Sequence, residues 1–101
     1  MFALMVRFDL IDEQAAALFD ELVEKTGELI RTSEPGTLLY AVNEVNDAPL
    51  ARVFYEVYTD RSAFDAHERG DHVRTFLSQR EQYIANVRVE FLTPTGGKNL
   101  P

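Results

Sequence analysis

The segment from Ala51 to Thr59, ARVFYEVYT, puts the strongest constraint on the fold. Its alternation sets Val53, Tyr55 and Val57 on one side, and Phe54 and Tyr58 on the other with Arg52 and Glu56. Val, Phe and Tyr suit a pleated surface, so a strand is expected, apolar on both sides. Thr37 to Val45 poses the same problem. Leu38, Tyr40 and Val42 share one face there, and Leu39, Ala41 and Val45 the other, with Asn43 among them. The intervening Asn46-Asp47-Ala48-Pro49 reads as a turn, which makes the two strands an antiparallel hairpin.

The flanking segments complete the order. Phe2, Leu4, Val6 and Phe8 alternate with Ala3, Met5, Arg7 and Asp9, predicting a first strand over 2–9. Asp12 suits an N-cap, and Ala15, Leu18, Phe19, Leu22, Thr26, Leu29 and Ile30 fall on one helical face. That helix is expected to stop near Ser33, because Pro35 drives Glu34 out of the helical region. Glu34-Pro35-Gly36-Thr37 carries the signature of a type II turn, with Gly36 supplying a positive φ. Asp60 is expected to cap a helix over Arg61–Arg69. Gly70 breaks it, and Asp71 is expected to cap a second piece from His72 to about Gln82. Val87, Val89 and Phe91 alternate with Arg88 and Glu90 in a last strand.

The resulting fold class is α+β, a ferredoxin-like β-α-β-β-α-β order with an antiparallel sheet. The length of 101 residues sets one domain, expected over 1–93, with 94–101 as a flexible C-terminal tail. A domain this small buries only about two-thirds of its unfolded surface, so surplus apolar strand surface is expected to meet a second copy, sheet against sheet.

Composition narrows the function. The net charge of −7 repels phosphate backbones and anionic lipid, so no nucleic acid and no membrane partner is expected. Cysteine is absent, which removes disulfides, thiol nucleophiles and thiolate metal sites. MFALMVRFDL lacks a basic start and a long apolar run, so it reads as a strand rather than a leader, and the cytoplasm is the default location. Glycine-rich phosphate loops, dinucleotide fingerprints and serine nucleophile motifs are not found.

The candidate site residues surround the third strand and the second helical region. His67 follows Phe64 by three positions, so it shares the inward face and sits beside the core. A histidine there can donate, accept or carry a proton; the plain alternative is a structural histidine bonded to a strand carbonyl. His72 follows the Asp71 cap position and is either a ligand contact or a surface residue near a turn. Glu56 lies between Phe54 and Tyr58, where a buried carboxylate needs a partner or a raised pKa; Arg52 or Arg88 would supply an ion pair. Tyr40, Tyr55, Tyr58 and Tyr83 would line an aromatic pocket, or simply fill the core. Two histidines with a helix break between them make a poor metal set.

Three segments carry a family resemblance. Glu34-Pro35-Gly36-Thr37-Leu38-Leu39-Tyr40, then Phe54-Tyr55-Glu56-Val57-Tyr58-Thr59-Asp60, then Ala63-Phe64-Asp65-Ala66-His67 with His72 five positions on, resemble the antibiotic biosynthesis monooxygenase family in order across about 2–93. The resemblance implies a dimeric α+β barrel built by two sheets packing face to face, and a pocket between sheet and helices. It implies oxidation of a small quinol or a phenolic, polyketide-like aromatic by molecular oxygen, with no cofactor. His67 matches the family histidine and is the implied base or anchor; Glu56 and His72 match family positions, with Tyr40, Phe64 and Tyr58 beside them as substrate-binding candidates. The chain departs from some members in lacking tryptophan, and from a sugar-phosphate branch in carrying Glu68 where that branch has lysine. Two other readings stand beside this one: a non-oxidative isomerase of a small carbonyl compound, and a non-catalytic small-molecule-binding dimer.

Overall fold

A computed structural model describes residues 1–99. The alternating segments form four strands, β1 (Phe2–Leu10), β2 (Thr37–Val45), β3 (Ala48–Tyr58) and β4 (Ile84–Leu92). Between them lie α1 (Glu13–Ser33), α2 (Arg61–Arg69) and α3 (Asp71–Arg80), with a 3₁₀ turn at Glu81–Tyr83. The strands form one antiparallel sheet in the order β2-β3-β1-β4. The expected α+β architecture is therefore present, with the second helical region divided in two. Residues 93–97 have no regular structure, and the last two positions of the expected tail lie outside the described residues.

Register decides which side chains meet the helices. Leu4 pairs with Glu56, Val6 with Phe54 and Phe8 with Arg52, so these six share one face. Phe8, Phe19, Phe54 and Phe76 pack ring against ring there, with centroids 4.9–6.4 Å apart, and form the centre of the core. Asp12 caps α1 by accepting from the Ala15 amide, and Asp60 caps α2 by accepting from Ala63, as their positions predict.

Several local expectations change. The buried stripe of α1 is Phe19, Val23, Thr26 and Ile30 with Ala15 and Ala16, while Leu18 and Leu29 are exposed. The i, i+4, i+7, i+11 spacing of that stripe points at the sheet; the two leucines fall on its flank. β3 begins at Ala48, not Ala51, because the chain reverses over Asn46 and Asp47 alone, with Asp47 at φ 65°. Gly70, not Asp71, occupies the cap position of α3, and it makes no side-chain cap.

The Glu34–Thr37 turn closes with a Thr37 amide to Glu34 carbonyl bond of 3.1 Å, yet Gly36 does not have a positive φ. It is therefore not a type II turn. Glycine is required for proximity: a Cβ at Gly36 would lie 2.8 Å from the Ala63 Cβ. This contact presses the end of α1 onto the start of α2, and the Thr59 amide donates to the Gly36 carbonyl at 3.0 Å.

One edge of the helix-covered face stays open. Val87, Val89 and Phe91 on β4 oppose Phe8, Val6 and Leu4, yet they are 41%, 44% and 61% exposed. Their β1 neighbours are almost fully buried. The reverse face is divided. One end carries Met5, Leu39, Tyr55 and Leu92, with Glu90 opposite Met5; the other carries Arg7, Asp9, Asn43 and Arg88.

Candidate functional site

Two histidines, His67 on α2 and His72 on α3, build the site around a shared carboxylate. Glu34 ends α1 four residues after Ile30, so it continues the buried stripe of that helix. Its carboxylate accepts from the Thr37 hydroxyl at 2.7 Å and meets His67 Nδ1 at 2.7 Å. Its second oxygen bonds His72 Nε2. Burial alone would raise the Glu34 carboxyl, but the bonds from Thr37, His67 and His72 outweigh it and hold the group below its usual value.

An ionised carboxylate only accepts, so it fixes both imidazoles. His67 must carry its hydrogen on Nδ1, which leaves Nε2 as an acceptor in the neutral ring. That nitrogen faces Glu56 Oε1 at 3.8 Å, beyond hydrogen-bond distance. His72 reaches Glu34 because Gly70 leaves room for its ring; a Cβ there would stand 2.9 Å from His72 Cε1.

Glu56 holds the opposite charge logic. Burial pushes its carboxyl above the ordinary value, although the Tyr58 bond and nearby His67 act the other way. Tyr58 donates to Glu56 Oε1 at 2.5 Å, and burial followed by the Glu56 charge raises that phenol strongly. Tyr40 is raised likewise, by burial first, and its ring lies 6.4 Å from the imidazole of His67. The expected ion pairs from Arg52 and Arg88 to Glu56 do not form. Arg52 is taken by Asp20, and Arg88, on the reverse face, pairs with Glu90.

The cavity lies between the sheet and α2 and α3. It has a volume of about 120 Å³ and is walled mainly by Phe8, Phe54, Phe64 and Phe76, with His67, Glu56 and Tyr40 among its lining. Val89 and Phe91 stand at its exposed side. Tyr58 and His72 do not line it; Tyr58 stands one bond behind, on Glu56, and His72 two bonds behind, on Glu34, which in turn holds His67. The structure thus joins His67, Glu56, His72, Tyr40, Phe64 and Tyr58 into one hydrogen-bonded and aromatic cluster, whereas Tyr55 lies on the reverse face and Tyr83 does not line the cavity. Two residues were not among those candidates. Glu34 is the hub, and Arg80 lines the cavity at the end of α3. Both had a sequence signal: each is a charged residue falling on an apolar helical stripe, Ile30 to Glu34 and Phe76 to Arg80.

Among the described residues, no group of three His, Cys, Asp or Glu side chains is arranged to hold a metal ion. Glu34 and the two histidines point at one another rather than at a common centre. No described helix is long and apolar enough to cross a membrane.

The family model for antibiotic biosynthesis monooxygenase matches residues 1–79. The chain belongs to this family. The match takes in β1 through most of α3, and so includes Glu34, Glu56, His67 and His72. No curated protein matches the sequence. Among solved structures, Rv0793 from Mycobacterium tuberculosis is 24% identical, with 96% of this chain and 97% of that one covered and a TM-score of 0.86. A structure described as an antibiotic biosynthesis monooxygenase is 23% identical over 95% of this chain and all of its own, at a TM-score of 0.84. PA3566 from Pseudomonas aeruginosa is 20% identical over 94% of each chain, at 0.83. At such identities the likeness establishes the monooxygenase-family fold over nearly the whole chain and leaves the substrate to the site.

Proposed function

We propose that the protein is a cofactor-independent monooxygenase acting on a single-ring phenol or quinol. The observation that carries this reading is the 2.7 Å contact between His67 Nδ1 and the Glu34 carboxylate. Glu34 fixes the proton on Nδ1 and leaves Nε2 as a base beside a small, aromatic-walled cavity. The volume of about 120 Å³ compares with about 150 Å³ for an apolar cavity that takes benzene, and falls below the ~300 Å³ at which drug-sized pockets begin. The volume favours one ring, partly emerging past Val89 and Phe91, over a fused polycycle.

In the proposed reaction His67 removes the phenolic proton. The resulting anion is electron-rich at a ring carbon and passes electrons to molecular oxygen, the named co-reactant. A carbon–oxygen bond forms, the ring C–H is lost as a proton, and the O–O bond breaks. One oxygen atom becomes the new carbonyl and the other leaves as water, so a phenol plus O₂ gives a quinone plus water. All four electrons come from the substrate. The apolar walls favour this step by excluding competing water. Glu56, held from behind by the Tyr58 hydroxyl, supplies a hydrogen bond at the opposite wall.

Oxygen uptake with a reduced single-ring quinol, in enzyme stripped of metal and flavin, is the test. His67→Ala is expected to lower turnover by about 10²–10⁴-fold with the circular dichroism spectrum unchanged. Full activity in that variant removes His67 from the mechanism. One observation supports a second reading. Glu56, inclined to keep its proton, faces the His67 acceptor across 3.8 Å, an acid–base pair suited to isomerising a small carbonyl compound. Turnover in the absence of oxygen would select it.

The partner of the reverse face is proposed to be a second copy of the chain. Met5, Leu39, Tyr55 and Leu92 supply its apolar part. Sedimentation at micromolar concentration should give a dimer; an 11.5 kDa species at every concentration refutes it.

A further inference from the structure

The geometry points to Arg80 as an anion-binding residue of the cavity, one that takes a carboxylate on the same ring whose hydroxyl faces His67. The inference deepens the reading above and rests on it for the position of that hydroxyl. Arg80 Nε is fully buried and has no hydrogen-bond partner among the described residues. No carboxylate among them forms an ion pair with it either. Its guanidinium lies over the rings of Phe8 and Phe76, 5.2 and 5.6 Å from their centroids. Those rings hold the group in place without satisfying its donors.

Burial pulls the Arg80 guanidinium below its ordinary value, with Glu81, Glu68 and Glu56 opposing from a distance. An arginine still keeps its proton, so the donors stay charged and available. A planar carboxylate matches that fork and would offset the desolvation already incurred. A phosphate dianion fits less well, since Glu56 and Glu68 line the same cavity and no lysine does.

Position supports a ligand with two polar ends. Glu56 opposes Leu4, whereas Arg80 stands over Phe8, four residues further along β1, or roughly 13 Å at strand rise. Phe54 lies between, its ring 4.9 Å from Phe8 and 5.8 Å from Tyr40. A hydroxybenzoate laid across Phe54 would present one polar group toward each end.

Calorimetric titration at neutral pH with 4-hydroxybenzoate and its neutral counterpart 4-hydroxybenzamide tests this directly. The acid is expected to bind the full chain about tenfold more tightly than the amide. Arg80→Met should abolish that preference, lowering the affinity for the acid to about that for the amide. Should Arg80→Met not fold, Arg80→Lys keeps the charge but loses the fork, and should cut the preference to about threefold. Equal affinities in the natural chain, no binding of either ligand, or a preference that survives Arg80→Met or is undiminished in Arg80→Lys each overturns the proposal. Oxygen uptake on the same samples separates the two ideas. Arg80-dependent binding without uptake refutes the oxidase chemistry and retains the anion site. Uptake with neutral phenols, equal in both proteins and with no acid preference, does the reverse.

Discussion

Two sets of buried polar groups lie on the helix-covered face of the sheet, one around Arg52 and one around the cavity, and they are finished in opposite ways. At Arg52 every guanidinium nitrogen is hydrogen-bonded. Nε and Nη2 bond the two oxygens of Asp20 at 2.9 Å each, and Nη1 bonds the carbonyls of Pro49 and Ala51 at 3.0 and 2.9 Å. Around the cavity, from Glu56 along to Phe8, the polar groups stay open. His67 Nε2 stops 3.8 Å short of Glu56, and Arg80 Nε, over Phe8, has no partner among the described residues. Both clusters incur the desolvation of charge in a thin core. The first recovers it within the chain. The second holds donors and an acceptor unspent beside a cavity, which is the arrangement a ligand completes.

Truncating one member of each cluster should give unlike results. Asp20→Ala leaves a 6%-exposed guanidinium with only carbonyl partners, so a loss of about 2–3 kcal/mol is expected in urea unfolding. The value sits below that for a fully buried pair because Asp20 itself is partly solvated. Arg80→Met replaces an unpartnered group by an apolar one of similar length, and should change stability by less than about 1 kcal/mol in either direction. Equal losses in the two variants would erase the distinction between a closed and an open cluster.

Glu34 belongs to neither cluster alone, since it orients His67 from behind. Glu34→Gln keeps the shape but replaces one acceptor oxygen by a donor, so one imidazole loses its partner or turns over. About 1–2 kcal/mol of stability should go at neutral pH, and turnover should fall about 10–100-fold. The pH dependence has a definite sign. The folded carboxyl is depressed below 4.5, so its contribution is complete above that pH and is lost as pH falls through the folded value. The natural chain and Glu34→Gln should therefore converge in stability in strong acid. A constant gap down to pH 2 would mean that Glu34 is not ionised in the fold.

The fold was legible in the sequence because it rests on period and punctuation. Alternation over Phe2–Asp9 and Thr37–Val45, the caps Asp12 and Asp60, and the break at Gly70 are local signals with local causes. What could not be read locally was contact. Gly36 carries the ordinary mark of a positive-φ turn, yet its role is to admit Ala63, which lies twenty-seven residues away in sequence. Arg52 and Glu56 share a face on one strand, and pairing them was reasonable until α1 placed Asp20 beside the arginine. Glu34 was hidden by its position before proline, where a helix end explains it well enough. Its four-residue step from Ile30 was the signal that the buried face had not ended.

The smallest expected effect is the most diagnostic of the open cluster. Glu56 is raised by burial, so its ionised form costs the fold stability as pH climbs from about 4.5 through its folded value. Glu56→Gln removes that cost and keeps an oxygen to accept from the Tyr58 hydroxyl. A gain of about 0.5–1 kcal/mol is expected at neutral pH, fading to nothing below about pH 4.5, where folded and unfolded carboxyls are both protonated. Turnover should fall even as stability rises, because the amide cannot present the carboxyl's acidic donor to the substrate. A residue whose loss stabilises the fold and damages the reaction is held there by function, whereas Arg52, closed on Asp20, should show no such trade. If Glu56→Gln instead unfolds more easily at neutral pH, then Glu56 is a structural acceptor for Tyr58, and the two clusters are alike after all.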